Sequence, residues 1–264
     1  MRFNDLSLRE PGARQAVFVS GLSKQFGDTS PVFDRLCFTV PYDESVAIIG
    51  ANGTGKSTLM RALVRLTEVD DGEIEVLGEK VRELGAAKLR HFRSRVGFVF
   101  QRHNLVSRLS VLSNVIHGAQ GRHAGPHLWA QWSAPGFLRD EAMNCLARVG
   151  LADRAGQRVD SLSGGQSQRV AIARMLMQRP ELVIADEPVA SLDPKAGVEV
   201  MDLLFKLVRE AGITLLFVSH NMEHAQIYAD RIVGLGHGKV MMDIPSRNAK
   251  AAELKDFFME PVAA

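Results

Sequence analysis

Nine consecutive residues, Gly50-Ala51-Asn52-Gly53-Thr54-Gly55-Lys56-Ser57-Thr58, have the types and spacing of a phosphate-binding loop, G-x-x-x-x-G-K-[ST]. Gly50, Gly53 and Gly55 permit positive φ and let the backbone approach a polyphosphate closely. Successive N–H groups then form an anion nest, and a helix starting near Gly55 adds its positive end. Lys56 has the reach for the β- and γ-phosphates, and the Ser57 hydroxyl is a ligand for Mg²⁺. Two further stretches carry matching chemistry. Asp186-Glu187 closes the apolar run Leu182–Ala185, which puts one carboxylate where Mg²⁺ is organised and a second where water is polarised. Leu162-Ser163-Gly164-Gly165-Gln166 opens a helix with a hydroxyl and unpaired N–H groups, a second anion site in the same chain.

These residues need strands and helices to hold them. Ser45–Ile49 before the loop is a short apolar run, expected as a buried strand, and Leu59, Leu63 and Leu66 follow at helical spacing. Upstream, Ala16–Ser20 and Arg35–Val40 are expected as strands around a turn containing Gly27, and Glu73–Leu77 as a strand after the loop helix. Phe26 lies in that turn, either as an apolar plug or as an aromatic platform for a base, since every base has a π-face. Val96–Phe100 is a further buried strand ending at Gln101, which is either a ligand for Mg²⁺ or attacking water, or a surface glutamine. Asp193-Pro194 starts a helix, with Asp193 as N-cap. Ile213–Val218 is a strand ending at Ser219-His220, where the histidine fits a γ-phosphate contact. A hairpin, Arg231–Leu235 and Lys239–Asp243, closes the fold.

Between the two halves the pattern changes. Residues 102–160 contain no strand-like run and are expected as a helical subdomain inserted into the α/β core. Ser110 caps a helix through Gly118, and Ala142, Cys145, Leu146 and Val149 form a stripe that Gly150 ends. The stretch 121–136 carries Trp129 and Trp132 with His123 and His127. It is expected to pack on the helical subdomain or, since tryptophan favours headgroup depth, to meet a membrane partner; Gly125 and Pro126 interrupt the helix a His-x₃-His metal site would need. The division expected is a polar extension over 1–15, a phosphate-binding α/β core over 16–101 and 161–245, the insertion over 102–160 and a tail over 246–264.

Composition narrows the class. A net charge of +2 gives no general basic field for nucleic acid. Cys37 and Cys145 lack metal-ligand spacing and are expected as core thiols. Met1–Gln15 shows no signal-peptide pattern, and no run approaches the roughly twenty apolar residues of a membrane span.

Taken in order, Phe26, Gly50–Thr58, Gln101, Leu162–Gln166, Asp186-Glu187, Ser191–Asp193 and His220 resemble the ATP-binding subunit of an ABC transporter over nearly the whole chain. The fold this implies is a P-loop α/β core with a mixed sheet, an antiparallel β edge and an inserted α-helical subdomain. The resemblance makes Phe26 the adenine-stacking aromatic, Glu187 the general base, Gln101 a Mg²⁺ and water ligand, and His220 the switch histidine. Asp186 and Ser57 then serve Mg²⁺, while Ser163, Gly164, Gly165, Gln166 and Asp193 face the nucleotide of a second copy. It also implies ATP and Mg²⁺, a head-to-tail homodimer, integral membrane permease subunits, an extracytoplasmic solute-binding protein acting through them, and a place at the cytoplasmic face of the membrane. Asn104–Val115, Ala185–Pro194 and Asp230–Leu235 resemble the phosphonate-import branch. Ser167 and Ser219 depart from common choices there, which keeps amino-acid and lipoprotein transport ATPases as alternatives. A soluble relative acting on DNA or ribosomes would carry two cassettes, a coiled coil or a zinc module, and a P-loop kinase would lack Leu162–Gln166.

Overall fold

The computed structural model describes residues 14–27, 30–100, 104–123, 125, 128, 131–250, 254 and 257. In chain order its elements are β1 (Gln15–Lys24), β2 (Phe33–Pro41), β3 (Ser45–Ile49), α1 (Lys56–Leu63), β4 (Asp71–Val76), β5 (Glu79–Lys80), α2 (Ala86–Arg95) and β6 (Val96–Val99). They continue with α3 (Val111–Ile116), α4 (Gly136–Arg148), α5 (Gly164–Gln178), β7 (Leu182–Asp186), α6 (Pro194–Glu210), β8 (Thr214–Val218), α7 (Met222–Tyr228), β9 (Arg231–Gly236) and β10 (Lys239–Pro245). Packing divides the chain into two units, one made of everything up to Gly85 together with Thr214 onward, the other of Ala86–Ile213.

The first unit holds two sets of strands. β2, β1, β4 and β5 pair antiparallel in that order. Alternation explains β2: Leu36, Phe38 and Val40 are buried while the residues between them are not. β3 lies between β8 and β9, parallel to both, and β10 returns antiparallel on β9. β3 and β8 are buried at every position, as expected for parallel strands covered on both faces. The expected mixed sheet and antiparallel edge are therefore present. Cys37 departs from the expectation of a core thiol. It is half-buried where β1 and β2 slip register, and its Sγ accepts from the Gly21 N–H at 3.1 Å.

In the second unit β6 and β7 form a parallel pair, and α5 packs against β6, α3, α4 and α6. Ser110 Oγ accepts from the Ser113 N–H at 3.1 Å and starts α3. The helix expected through Gly118 tightens into a 3₁₀ turn over His117–Gly121. Gly118 lies against α5 so closely that a Cβ would overlap the Arg174 carbonyl oxygen and reach within 2.9 Å of Met177 Cβ. On α4 the expected stripe is real: Ala142, Cys145, Leu146 and Val149 are buried, and Gly150 ends the helix at φ +72°. Burial pushes the Cys145 thiol up to about 11, so it is an inert packing group at neutral pH.

The tight seat of Gly118 gives a stability test. Gly118→Ala cannot be relieved by moving a flexible side chain, because the obstruction is backbone. It should destabilise the protein by about 1–3 kcal/mol, the usual cost of overpacking. Thermal unfolding should show the loss, and an unchanged melting temperature would show that the turn is looser than described.

Candidate nucleotide site

β3 delivers the chain into the glycine loop. A Cβ at Gly50 would overlap the carbonyl oxygen of Leu235 on β9 and sit 2.9 Å from Thr54 Oγ1. Gly55, at φ +90°, would put a Cβ 2.5 Å from Val32 Cγ1 and 2.7 Å from Phe33 Cε1. Both glycines are thus required by close packing as well as by conformation. The Lys56 side chain is buried at 4% exposure, and its Nζ donates to the Gly50 and Ala51 carbonyls at 2.8 Å each. Thr54 Oγ1 donates to the Ala51 carbonyl at 2.9 Å, while Asn52 and Gly53 form the exposed tip. The N-cap of α1 is Gly55, which has no side chain to cap the helix. A cationic centre, a curled backbone and an uncapped helix start fit a polyphosphate. Ser57 lies on the first turn of that helix and is half-buried.

Phe26 is not a plug for its turn, since it is 48% exposed. The turn is organised by Asp70 instead, which accepts from Lys24 Nζ at 2.8 Å and from the Gln25 N–H at 2.7 Å. Lys24 Nζ lies 4.9 Å from the Phe26 ring centroid, a cation on an aromatic face. Sequence reasoning missed Asp70, and the Asp-Asp-Gly run offered only a turn signal. His220 is exposed just past β8. β3 and β8 pair Ile48 with Val218, so Gly50 and His220 each stand two residues beyond the same pair. The Ser219 hydroxyl accepts from the Asn221 N–H at 3.0 Å and fixes the bend that follows the strand.

In the second unit, β7 is buried throughout and ends on Asp186, itself 6% exposed. Glu187 follows with φ +51°, a left-handed backbone that a glutamate adopts only when its surroundings demand it. Asp193 caps α6, its carboxylate accepting from the Ala196 N–H at 3.0 Å, with Pro194 at the first helical position. Ser163 and Gln166 form a capping box: Ser163 Oγ accepts from the Gln166 N–H at 3.3 Å, and Gln166 Oε1 accepts from the Ser163 N–H at 3.0 Å. Gly164 leaves 3.1 Å between its would-be Cβ and Leu192 Cδ2, so this helix start abuts the segment leading to Asp193. A cleft of about 400 Å³ lies beside it, lined in part by Ser163, Gln166, Arg154 and Arg169. Gln101 lies outside the described residues, as do His127 and Trp129.

Of the two expectations for the 121–136 stretch, packing on the helices does not hold for Trp132, which is 82% exposed. The neighbouring Gln131 explains this: its N–H donates to Ser113 Oγ at 3.1 Å and its side chain accepts from Ser110 Oγ at 3.1 Å. Polar anchoring of that residue holds the backbone without the indole. Among the described residues no group of three or more His, Cys, Asp or Glu is placed to hold a metal ion, and no helix is long and apolar enough to cross a membrane.

Residues 33–190 match the ABC transporter family. The chain belongs to that family, as one of its ATP-hydrolysing cassettes. It is 48% identical over 228 residues to the phosphonates import ATP-binding protein PhnC of Frankia casuarinae, spanning 86% of this chain and 89% of that one. It is 47% identical over 230 residues to the phosphate-import ATP-binding protein PhnC of Mycolicibacterium smegmatis, spanning 87% of each. Among solved structures, a dimeric ATP-binding cassette in a post-hydrolysis state with ADP and Pi matches at a TM-score of 0.76 and 32% identity, over 88% of this chain and 100% of the other.

The exposure of Phe26 generates a direct test. Loss of an aromatic platform costs about 1–3 kcal/mol per stacked base. Phe26→Ala should therefore weaken ATP binding by about tenfold or more, and Phe26→Tyr should preserve it. Titration with a fluorescent ATP analogue checks this, and equal affinity in Phe26→Ala would remove the ring from the site.

Proposed function

We propose that this chain is the ATPase subunit of an import system that takes up phosphonate or a related phosphorus oxyanion, phosphite or phosphate, through a separate membrane permease at the cytoplasmic face of the membrane. The observation that carries the ATPase reading is the buried Lys56 ammonium inside a glycine loop that opens an uncapped helix. The choice of solute is supported by relatives that are named for phosphonates and phosphate import. The solute itself would be read by an extracytoplasmic binding protein that reaches this chain only through the permease.

The proposed roles follow from residue chemistry. Phe26 stacks the base, and Gly50, Asn52, Gly53, Thr54, Gly55, Lys56, Ser57 and Thr58 cradle the phosphates. Ser57, Asp186 and Gln101 supply hard oxygen ligands suited to Mg²⁺, which when bound offsets charge on the β- and γ-phosphates. Glu187 takes the proton of the attacking water, and His220 contacts the γ-phosphate. The capped start of α5, Ser163–Gln166, together with Asp193, addresses the nucleotide held by a second copy. One chain with two anion-binding helix starts is complementary to itself about a two-fold axis, and two such copies bury two ATP molecules. The γ-phosphate then favours the closed dimer, and its loss on hydrolysis releases it. Acceleration comes from positioning and electrostatics on a loose transition state.

The test uses the whole system. Reconstituted with a phosphonate permease and its binding protein, the wild-type chain should hydrolyse ATP several-fold faster when methylphosphonate is added. Glu187→Gln should keep ATP binding, accumulate an ATP-bound dimer and lose nearly all turnover. Absence of stimulation by any phosphorus oxyanion would refute the solute class, and a fully active Glu187→Gln would refute the assignment of the base.

A further inference from the structure

Lys24, at the end of β1, is tied to both the turn that presents Phe26 and the glycine loop. Its carbonyl accepts from the Val32 N–H at 2.7 Å. Val32 in turn packs on the loop, where its Cγ1 would stand 2.5 Å from a Cβ on Gly55. The turn is therefore seated on the residue that starts α1. The Lys24 ammonium donates to the Asp70 carboxylate at 2.8 Å and lies 4.9 Å from the Phe26 ring centroid. Only 13% of the Lys24 side chain is exposed, against 48% of Phe26, so the cation is the inner partner and the ring the outer one.

Asp70 is itself fixed through its backbone. Its N–H donates to the Ser23 carbonyl at 3.0 Å, and the next residue, Asp71, pairs with Ser23 across β4 and β1. The second carboxylate oxygen accepts from the Gln25 N–H at 2.7 Å. The Lys24 ammonium first, and then the Gln25 N–H, hold the Asp70 carboxyl below the usual carboxylate range, so both bonds are charge-assisted at neutral pH. An exposed ion pair adds little to stability on its own. What this one does is geometric: a single carboxylate grips two successive residues, Lys24 and Gln25, immediately before the ring.

We propose that Asp70 and Lys24 are positioning residues for the base of the bound nucleotide. They hold Phe26 at a set place relative to Gly55, so that the aromatic platform and the phosphate cradle match the span of one nucleoside triphosphate. This inference rests on the reading of Phe26 as the base platform proposed above. Asp70 acts by holding backbone, and Lys24 acts by holding the turn and backing the ring. Loosening the grip removes only the part of the affinity that comes from the base, because a displaced platform no longer meets a base whose phosphates are anchored. The part supplied by Gly50–Thr58 to the phosphates remains.

The test compares two ligands in the full-length chain by isothermal titration calorimetry: ATP, and inorganic tripolyphosphate, which lacks the base. Asp70→Ala and Lys24→Met should each weaken ATP binding by about threefold to tenfold, less than Phe26→Ala because the ring is still present. Affinity for tripolyphosphate should change by less than about twofold, which a general loss of structure would not spare. Placed on Phe26→Ala, either substitution should cause no further loss of ATP affinity, because both act through the ring. A folded Asp70→Ala or Lys24→Met with wild-type ATP affinity overturns the inference. So does an equal loss for both ligands, or a loss that multiplies with that of Phe26→Ala. Should Asp70→Ala not fold, Lys24→Met carries the comparison alone. Wild-type ATP affinity in Phe26→Ala would overturn the platform itself, and the inference with it, which separates that failure from a failure of the grip.

Discussion

The structure depends on a single constraint: a lysine ammonium must be held out of water at the centre of a loop made of backbone. Lys56 meets it by donating to Gly50 and Ala51 carbonyls inside the turn it follows. Burying a charge is costly unless it is hydrogen-bonded, and here the curl of the loop supplies the bonds. That curl forces the backbone against its neighbours. Gly50 meets the Leu235 carbonyl and Gly55 meets Val32 and Phe33, so β9 and the start of β2 are shaped around the loop. The apolar, fully buried β3 fixes the point from which the loop springs.

The second unit solves a related problem in another way. α5 begins on a capping box rather than on an uncapped glycine, so its first turn is ordered by its own side chains. Its far end is bonded to the entry of β6 through Gln178. The 3₁₀ turn at His117–Gly121 and the helices α3 and α4 gather around the same helix. The positive φ of Glu187 sits at the end of the other strand of this unit, where a buried run of apolar residues gives way to a charged one. Local strain at such a place is consistent with a side chain held for chemistry rather than for stability.

Much of this was legible in the sequence, because glycine spacing, cap residues and apolar runs are local signals. The loop, the caps at Ser110 and Asp193, the start of α5 and the stripe on α4 all fall where their residues predict. Local signals left matters open where contacts are distant in sequence. Whether Phe26 faces inward or outward is decided by Asp70, more than forty residues later, which anchors the turn and leaves the ring exposed. Packing or a membrane partner was open for Trp132, and it stands exposed: the Gln131 N–H donates to Ser113 Oγ and Ser110 Oγ donates to Gln131 Oε1, which fixes the loop without the indole. Cys37 is half-buried because β1 and β2 slip register beside it, which no alternation pattern reveals.

The central claim is that each chain contributes to two different nucleotides, Lys56 to its own and Ser163 to that of a second copy. Mixing two impaired chains tests it most directly. Lys56→Ala and Ser163→Arg should each hydrolyse ATP at no more than a few per cent of the wild-type rate when assayed alone, as expected when a group acting only in the assembled site is removed. A mixed dimer contains one intact site, formed by Lys56 of one copy and Ser163 of the other. The account predicts that mixing restores ATP hydrolysis well above the sum of the separate activities. No recovery on mixing, with both variants folded and able to associate, would contradict it.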